Sequence, residues 1–390
     1  MLALLLCLSA PPDMPPTTYL WPDGAPGAVG EEEADKPAVF IYEPPADLAT
    51  GTAVVLCPGG GYAVHAMDHE GHQVARWWQS KGVTCALLRY RLGERYRHPA
   101  PLQDVLRAIR LVRSKSDELN VDRRRVGVMG FSAGGHLASS AATLYAHPDG
   151  TPQGTGLEDV SPRPDFAVLC YPVISMSEPW GHGGSAKRLL GPDPSDDLRQ
   201  LLSTDKQVDA KTPPTFVFHT VADAGVPVRN GVAFFTACVE NGVPCELHAF
   251  ETGPHGVGMA PGDPVLRVWP DLLHNWLRRG GFLSADKRVS ASGRVSVGGK
   301  PIQSGEIHFA PADPNGPTAF ARIGRGAFQI DAARGPTAGQ VTVSVTDLGG
   351  VKPGPSVEAA EFYRLAEPVD LSGGERLAID LKDDDRVAGP

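Results

Sequence analysis

Three side chains in this sequence have the types and order needed for nucleophilic acyl chemistry. Ser132 lies in Gly-Phe-Ser-Ala-Gly at 130–134, and this GxSxG spacing is typical of a serine on a sharp strand-to-helix turn. Asp223 and His255 follow in that order, each in a loop directly after a predicted strand. A serine nucleophile needs an imidazole to take its proton and a carboxylate to orient that imidazole. We therefore predict Ser132 as nucleophile, His255 as base and Asp223 as the residue that orients the base.

The pentapeptide alone is weak evidence, because two glycines and a serine at this spacing also occur in ordinary turns. Its neighbours strengthen it: an apolar strand is predicted at 125–129, and a helix of small residues at 135–144. Small flanking residues suit a strained backbone, and the start of a helix directs N–H groups at developing negative charge. Ser132 thus stands where the chemistry requires it.

A glycine-rich loop upstream predicts an oxyanion hole. The sequence Pro-Gly-Gly-Gly-Tyr at 58–62 follows a predicted strand at 53–57. Glycines let the main chain bring bare N–H groups close to a tetrahedral intermediate. We predict that the N–H groups of Gly59, Gly60 and Ala133 hold the oxyanion; the alternative is an ordinary flexible glycine turn.

A group of histidines and carboxylates follows this loop. His65, His69 and His72, with Asp68 and Glu70, have a spacing that resembles metal ligands on a helix. The two carboxylates also suit the first turn of a helix, where they complement its dipole. We favour the second interpretation and predict no metal and no cofactor.

The elements that must position these side chains alternate between strand and helix from residue 38 to 283. This alternation predicts an α/β domain with a mostly parallel sheet. The predicted strands are 53–57, 83–89, 126–129, 166–171, 215–220 and 245–250, and the clearest helices are 101–119, 228–240 and 265–279. After about residue 286 the apolar period becomes two, as in Val341, Val343 and Val345, which predicts a small all-β sandwich over 288–383.

Length and composition set the outer bounds. At 390 residues the chain exceeds one core, and 42% hydrophobic residues with a net charge of −9 are typical of a soluble globular protein and argue against a nucleic-acid partner. Residues 1–10 form an apolar run that predicts a signal peptide, too short for a membrane span, and hence a secreted or periplasmic protein. Residues 11–37 are Pro-rich and acidic, so we expect a leader that lies over the surface or is partly disordered.

The six cysteines predict no disulfide framework. Three of them lie in apolar strand-like runs, where a free cysteine behaves as a small buried hydrophobe: Cys57, Cys85 and Cys170. Cys238 and Cys245 flank a helix-to-strand turn and could pair.

Taken together, several motifs resemble the bacterial acetylxylan/feruloyl esterase-like (BD-FAE-type) branch of the α/β hydrolases. They are GFSAGGHL at 130–137, PGGGY at 58–62, DHEG at 68–71, HPAPLQD at 98–104, YPVI at 171–174 and GPHG at 253–256. The resemblance covers about 38–283 and implies an α/β-hydrolase fold that forms an acyl-enzyme. It also implies a substrate such as an acetylated or feruloylated xylan-type polysaccharide. The C-terminal part resembles carboxypeptidase-regulatory or transthyretin-like sandwiches.

The same resemblance implies three substrate-binding residues. Tyr62 and Trp180 near the mouth would stack on a sugar ring, although packing explains each aromatic equally well. His182, in a cap segment that spans 179–191, would face the pocket.

Two other functions remain open at this point. A prolyl-oligopeptidase-like peptidase shares the triad, although no propeller-like repeats precede this domain. A non-catalytic carbohydrate-binding or surface protein would use the sandwich and keep the hydrolase domain as a relic, against which the intact triad and glycine loop argue. The residues leave the acyl and alcohol specificity and the oligomeric state undetermined; the expected partner is a small ester or an acylated oligosaccharide.

Overall fold

The chain forms two units of different architecture. The computed structural model describes residues 14–152, 156–284, 288–332, 334–349, 360–371 and 376–388. The predicted signal peptide at 1–10 lies outside the described residues. The units are Met1–Pro270 and Asp271–Pro390, so the division falls inside a helix and before residue 283, where the sequence pattern places the end of the first domain.

A mixed eight-stranded sheet forms the centre of the first unit. Its strands are β1 (Thr17–Tyr19), β2 (Ala38–Tyr42), β3 (Thr52–Cys57), β4 (Val83–Arg89), β5 (Val126–Phe131), β6 (Ala167–Cys170), β7 (Thr215–Thr220) and β8 (Cys245–Phe250). Their order is β1-β2-β4-β3-β5-β6-β7-β8, antiparallel at β1/β2 and β2/β4 and parallel from β4 onwards. Strands β3, β5, β6 and β7 are buried along their whole length, as expected for parallel strands that are covered on both faces.

Helices fill the connections between these strands. A π-helical turn at Asp68–His72 leads into α1 (Gln73–Ser80), and the others are α2 (Ala100–Ser114), α3 (Ser132–Thr143), α4 (Gly183–Leu190), α5 (Asp196–Leu201), α6 (Arg229–Glu240) and α7 (Trp269–Gly280). The α/β-hydrolase fold predicted from the sequence is confirmed. The second helix ends at Ser114 rather than at residue 119, because the following turns bring Leu119 and Val121 into the core.

The residues before β2 belong to this unit. Strand β1 pairs along β2, and Leu20 and Trp21 are buried in the core cluster of the unit. The segment is therefore anchored by apolar side chains of its own, and it lies against the unit as in the first of the two expected arrangements.

A buried ion pair fastens this segment to the rest of the unit. The side chains of Arg91 and Asp104 are 1% and 0% exposed, and Arg91 Nη2 lies 2.8 Å from Asp104 Oδ1. Arg91 Nη1 also donates to the carbonyl of Pro26 at 2.6 Å, and its guanidinium lies over the rings of Trp21 and Tyr96. One side chain thus joins the loop after β4, helix α2 and the N-terminal segment.

The second unit, from Asp271 on, is all-β after helix α7, as predicted. Its strands are β9 (Ala291–Val297), β10 (Lys300–Pro301), β11 (Ser304–Pro311), β12 (Ala319–Gly324), β13 (Ala327–Ile330), β14 (Gly339–Asp347), β15 (Glu361–Arg364), β16 (Val369–Leu371), β17 (Arg376–Leu381) and β18 (Arg386–Val387). Eight follow one path, β16 pairs with β14, and β17 pairs in parallel with β9. Alternate residues such as Val341, Val343 and Val345 are buried in a separate apolar core.

Two further sequence expectations concern cysteines and membranes. Cys57, Cys85 and Cys170 are free and buried, and Cys238 and Cys245 are free as well, so the pairing considered for the last two is not formed. Within the described ranges, no helix is both long and apolar enough to cross a membrane.

The Arg91–Asp104 pair generates a stability prediction. Asp104→Asn leaves a fully buried guanidinium without its counter-charge, so we expect a loss of about 3 kcal/mol in the free energy of unfolding, measured by urea denaturation. Glu118→Gln is the matched control: it breaks the exposed Lys115–Glu118 pair and should cost less than about 1 kcal/mol. Equal losses in the two variants would contradict a structural role for the buried pair.

Candidate active site

Ser132 sits on a strained turn between β5 and α3. Its backbone φ of 53° lies in the left-handed region, which residues other than glycine rarely adopt. The turn is so tight that a Cβ at Gly130 would collide with the carbonyl of Gly134, and one at Gly134 with the carbonyl of Cys57. Both glycines of the GxSxG pattern are therefore required by close contacts.

The three residues predicted as a triad form one hydrogen-bonded chain. Ser132 Oγ lies 2.8 Å from His255 Nε2, and His255 Nδ1 lies 2.7 Å from Asp223 Oδ2. The other carboxylate oxygen of Asp223 accepts the N–H groups of Gly225 and Val226, each at 2.8 Å. Because Nδ1 donates to the carboxylate, Nε2 is the bare nitrogen that can accept the serine proton.

The carboxylate of Asp223 is held in its charged form. Burial of the side chain acts to raise its pKa, but hydrogen bonds from His219, His255 and the N–H of Val226 outweigh burial and lower the pKa. Asp223 is therefore held as a carboxylate, and it can both orient the imidazole and stabilise an imidazolium.

The three hydrogen-bonded residues and the glycine loop all lie at the carboxyl ends of strands in the parallel part of the sheet. Ser132 follows β5, Asp223 follows β7 and His255 follows β8, while the glycine loop follows β3. This edge of an open parallel sheet is where ligands usually bind. Residues more than 120 positions apart in the sequence meet there.

The glycine loop differs from the prediction at one position. The N–H of Gly59 donates to Glu70 Oε2 at 2.9 Å, and an amide has a single hydrogen, so the prediction that Gly59 donates to an oxyanion is wrong. Gly59 contributes close approach instead, since a Cβ there would lie 2.9 Å from Ser132 Cβ. Gly60 has a φ of 124° that favours glycine, and its N–H has no partner among the described residues. Gly60 and Ala133 remain as predicted donors.

Glu70 is a structural centre that the sequence pattern did not reveal. Its carboxylate is 3% exposed; Oε2 holds Gly59, and Oε1 accepts the hydroxyl of Tyr171 at 2.8 Å. Tyr171 in turn accepts the N–H of Gly258 at 2.9 Å, and its ring lies edge-on to that of His255. The loops after β3, β6 and β8 are thereby linked. The one sequence signal for this role of Glu70 was its place in the DHEG motif, which is part of the family resemblance; otherwise Glu70 was interpreted as a carboxylate at the start of a helix.

His219 also supports the site without having been predicted. It is fully buried in β7, its Nε2 lies 2.9 Å from the carbonyl of Val226, and the same nitrogen is 3.5 Å from Asp223 Oδ2. The available signal was a histidine inside an otherwise apolar strand just before Asp223.

The predicted sugar-stacking role of Tyr62 is wrong. Its side chain is fully buried, its hydroxyl lies 2.8 Å from Nδ1 of His136, and its ring meets the edge of Tyr90. Burial lowers the pKa of His136 to about 4, so this histidine stays neutral. Tyr62 thus fastens the glycine loop to helix α3 and has no free ring face.

Trp180 and His182 lie on the segment before α4. The half-buried Trp180 ring is covered on one side by the guanidinium of Arg229 at 5.3 Å. His182 caps α4 by accepting the N–H of Ser185 at 3.2 Å. Burial lowers the pKa of His182, and the charge that His255 can carry lowers it further. Its role in substrate binding, like that of Trp180, stays a prediction.

The histidines considered as metal ligands have separate partners. His65 packs edge-on to Tyr90, and burial lowers its pKa to about 4. His72 Nδ1 lies 2.6 Å from the hydroxyl of Tyr42. In the part of the chain that the structure describes, no three His, Cys, Asp or Glu side chains converge as a metal site.

The chain is similar to several known proteins. The BD-FAE family model matches residues 39–237, just over half of the chain. The chain belongs to the BD-FAE family. This BD-FAE member is 34% identical over 237 residues to endo-1,4-beta-xylanase B of Butyrivibrio fibrisolvens, which covers 60% of this chain and 36% of that protein. It is also 34% identical over 245 residues to acetylxylan esterase of Xylanibacter ruminicola, 61% of this chain and 47% of that protein.

The chain therefore spans between about a third and a half of the length of these two curated relatives. A solved structure offers a match over its whole length. The acetyl ester-xyloside bifunctional hydrolase from Caldicellulosiruptor lactoaceticus is 41% identical, with a TM-score of 0.64 over 70% of this chain and 99% of that one.

Glu70 generates a prediction about the rate of acyl-ester cleavage. In Glu70→Gln, the amide nitrogen cannot accept a hydrogen bond, so either Gly59 or Tyr171 loses its partner and the glycine loop shifts. We expect kcat on 4-nitrophenyl acetate to fall roughly ten- to hundredfold with little change in KM.

The control is Asp68→Asn, the same chemical change at an exposed carboxylate that binds Gln73. Circular dichroism should show both variants folded. An unaltered kcat in folded Glu70→Gln would remove Glu70 from the positioning of the loop.

Proposed function

We propose that this chain is a serine carboxylic-ester hydrolase that removes acetyl or feruloyl groups from an acylated polysaccharide of the xylan type. One observation carries the proposal: the unbroken chain from Ser132 Oγ through His255 to Asp223, with links of 2.8 and 2.7 Å. These distances allow a proton to move from serine to imidazole as the serine attacks.

The first half-reaction acylates Ser132. Its Oγ attacks the ester carbonyl carbon while His255 Nε2 takes the hydroxyl proton, and Asp223 stabilises the imidazolium through Nδ1–H. The N–H groups of Gly60 and Ala133 hold the oxyanion; loss of one such donor typically costs about 3 kcal/mol of transition-state stabilisation. When the tetrahedral intermediate collapses, the bond to the alcohol oxygen breaks, and His255 gives that oxygen its proton.

The second half-reaction releases the acid. His255 removes a proton from water, and the resulting hydroxide forms a bond to the acyl carbon. The bond to Ser132 Oγ then breaks, and the proton on His255 returns to the serine. The net change is one ester and one water converted to one carboxylic acid and one alcohol.

The acetylated xylan substrate is supported by relatives rather than by the site alone. The names of two similar proteins specify an acetylxylan ester and an acetyl ester with a xyloside. The triad supports acyl transfer from any ester that reaches Ser132.

The proposal predicts acetate release that depends on Ser132. The wild type should deacetylate both 4-nitrophenyl acetate and acetylated xylan, and Ser132→Ala should lose at least about a thousandfold in kcat because the nucleophile is gone. A fluorophosphonate probe should label the wild type and not Ser132→Ala. Ser80→Ala, at the exposed end of α1, is the control and should keep both properties.

Full activity of folded Ser132→Ala would refute the triad. Absence of labelling in the wild type would favour a non-catalytic relic. Faster cleavage of feruloylated sugar than of acetylated xylan would make the feruloyl ester the substrate, and faster cleavage of aminoacyl substrates would redirect the assignment to a peptidase.

We also propose that the protein is exported. The support is the apolar run at 1–10 followed by Pro11 and Pro12. N-terminal sequencing of protein recovered from the medium or the periplasm of the producing cells should begin close to Pro11; an intact N-terminus in the cytoplasmic fraction alone would refute export.

A further inference from the structure

A basic pocket lies on the first unit, between the loop after β4 and helix α4. Its volume is about 330 Å³, and we call it the basic pocket; it is lined by Glu94, Arg97, Gly184, Lys187, Arg188 and Pro192. Three cationic side chains face one carboxylate there, so the pocket attracts anions.

The basic pocket borders the glycine loop of the active site. A Cβ on Gly61 would lie 3.7 Å from Arg188 Nη1 and 3.9 Å from His182 Cε1. Gly59, two residues earlier in the same loop, closely approaches Ser132. Two residues span at most about 7 Å, so the pocket lies within the reach of one or two sugar rings from the serine.

Two glycines leave room for the side chains of Arg97 and Arg188, because their backbone lies close to the guanidinium groups. Gly191 has a φ of 94°, and a Cβ there would lie 2.8 Å from Arg97 Nη1. A Cβ at Gly184 would lie 3.2 Å from Arg188 Nη1. The N–H of His98 donates to the carbonyl of Leu189 at 2.9 Å, which ties the two walls of the pocket together.

The cations of the basic pocket are available to a ligand. Among the residues that the structure describes, neither Arg97 nor Lys187 forms an ion pair, and Arg188 Nη1 donates to the carbonyl of Gly184 at 3.3 Å. Lys187 and Arg188 lie in the last turn of α4, where they complement the helix dipole. The dipole does not account for Arg97, which reaches the same cavity from a different loop.

We propose that the basic pocket binds a carboxylate on the alcohol side of the ester, of the kind that a uronic acid residue gives an acylated glycan. This proposal rests on the proposed function. An acetyl group ends at its methyl carbon, so a charge that reaches the pocket belongs to the alcohol part of the substrate. Guanidinium groups bind carboxylates through paired hydrogen bonds, which suits Arg97, and Lys187 adds a second positive charge that is not engaged by the described part of the chain.

The test compares two acetylated xylo-oligosaccharides that differ in one group. One carries a glucuronic acid branch; the other carries a glucose branch, in which CH2OH replaces the carboxyl, and in both the acetyl groups are on xylose only. At low salt we expect the wild type to favour the carboxylate substrate about tenfold in kcat/KM, because hydrogen bonds to a charged group discriminate by this much. Added NaCl should reduce the ratio because the cations are partly exposed.

The double variant Arg97→Gln/Lys187→Gln should bring the ratio close to one. Lys211→Gln, which removes an exposed lysine that does not line the pocket, should keep the wild-type ratio. A ratio near one in the wild type, or an unchanged ratio in the double variant, would overturn the proposal.

Calorimetric titration of Ser132→Ala with the same two oligosaccharides keeps the test independent of catalysis. Tighter binding of the carboxylate form, lost when Arg97→Gln/Lys187→Gln is added, supports the basic pocket even if the wild type releases no acetate. Equal binding of both forms overturns it while leaving the Ser132 chemistry intact.

Discussion

The strained backbone at Ser132 is the constraint on which the rest of the first unit depends. A serine in the left-handed region can stand free of its own chain only if the residues around it have almost no side-chain volume. Gly130 and Gly134 meet that demand by direct contact with backbone carbonyls, and Gly59 meets it from the loop that follows the neighbouring strand β3. The fully buried strands β3 and β5 pair with each other and hold these two turns side by side.

Buried hydrogen bonds then fix the loops that a parallel sheet leaves free. Glu70 binds the glycine loop and Tyr171, and Tyr171 binds the loop that carries His255. Burial raises the pKa of Tyr171, so its hydroxyl remains a donor to the carboxylate. An unpaired group in such a network would cost more than each bond contributes, which makes the arrangement selective for one geometry. Glu70 and Tyr171 thereby hold the three loops in one arrangement.

The charges around the site are divided by function. Asp223, the residue of the triad farthest from the serine, has a lowered pKa, and its negative charge stabilises the protonated imidazole. The cations of the basic pocket lie beyond the glycine loop, where they can act only on a distant part of a substrate. The reaction therefore uses the negative charge of Asp223, and substrate recognition uses the positive charges of the basic pocket. The uncharged glycine loop lies between them.

The sequence by itself determined the α/β architecture, the all-β second unit and the residues of the Ser132–His255–Asp223 chain. Strand periodicity and glycine spacing are local properties, and the order of loops after parallel strands places their side chains at one edge. Tertiary structure alone decided which groups face each other across that edge. It engaged the N–H of Gly59 with Glu70, buried the ring of Tyr62 against His136, and placed Leu20, Trp21 and Ala25 of the N-terminal segment in the core. Such contacts join residues far apart in the chain, and their energies depend on burial and on three-dimensional distance, neither of which leaves a periodic mark on the sequence.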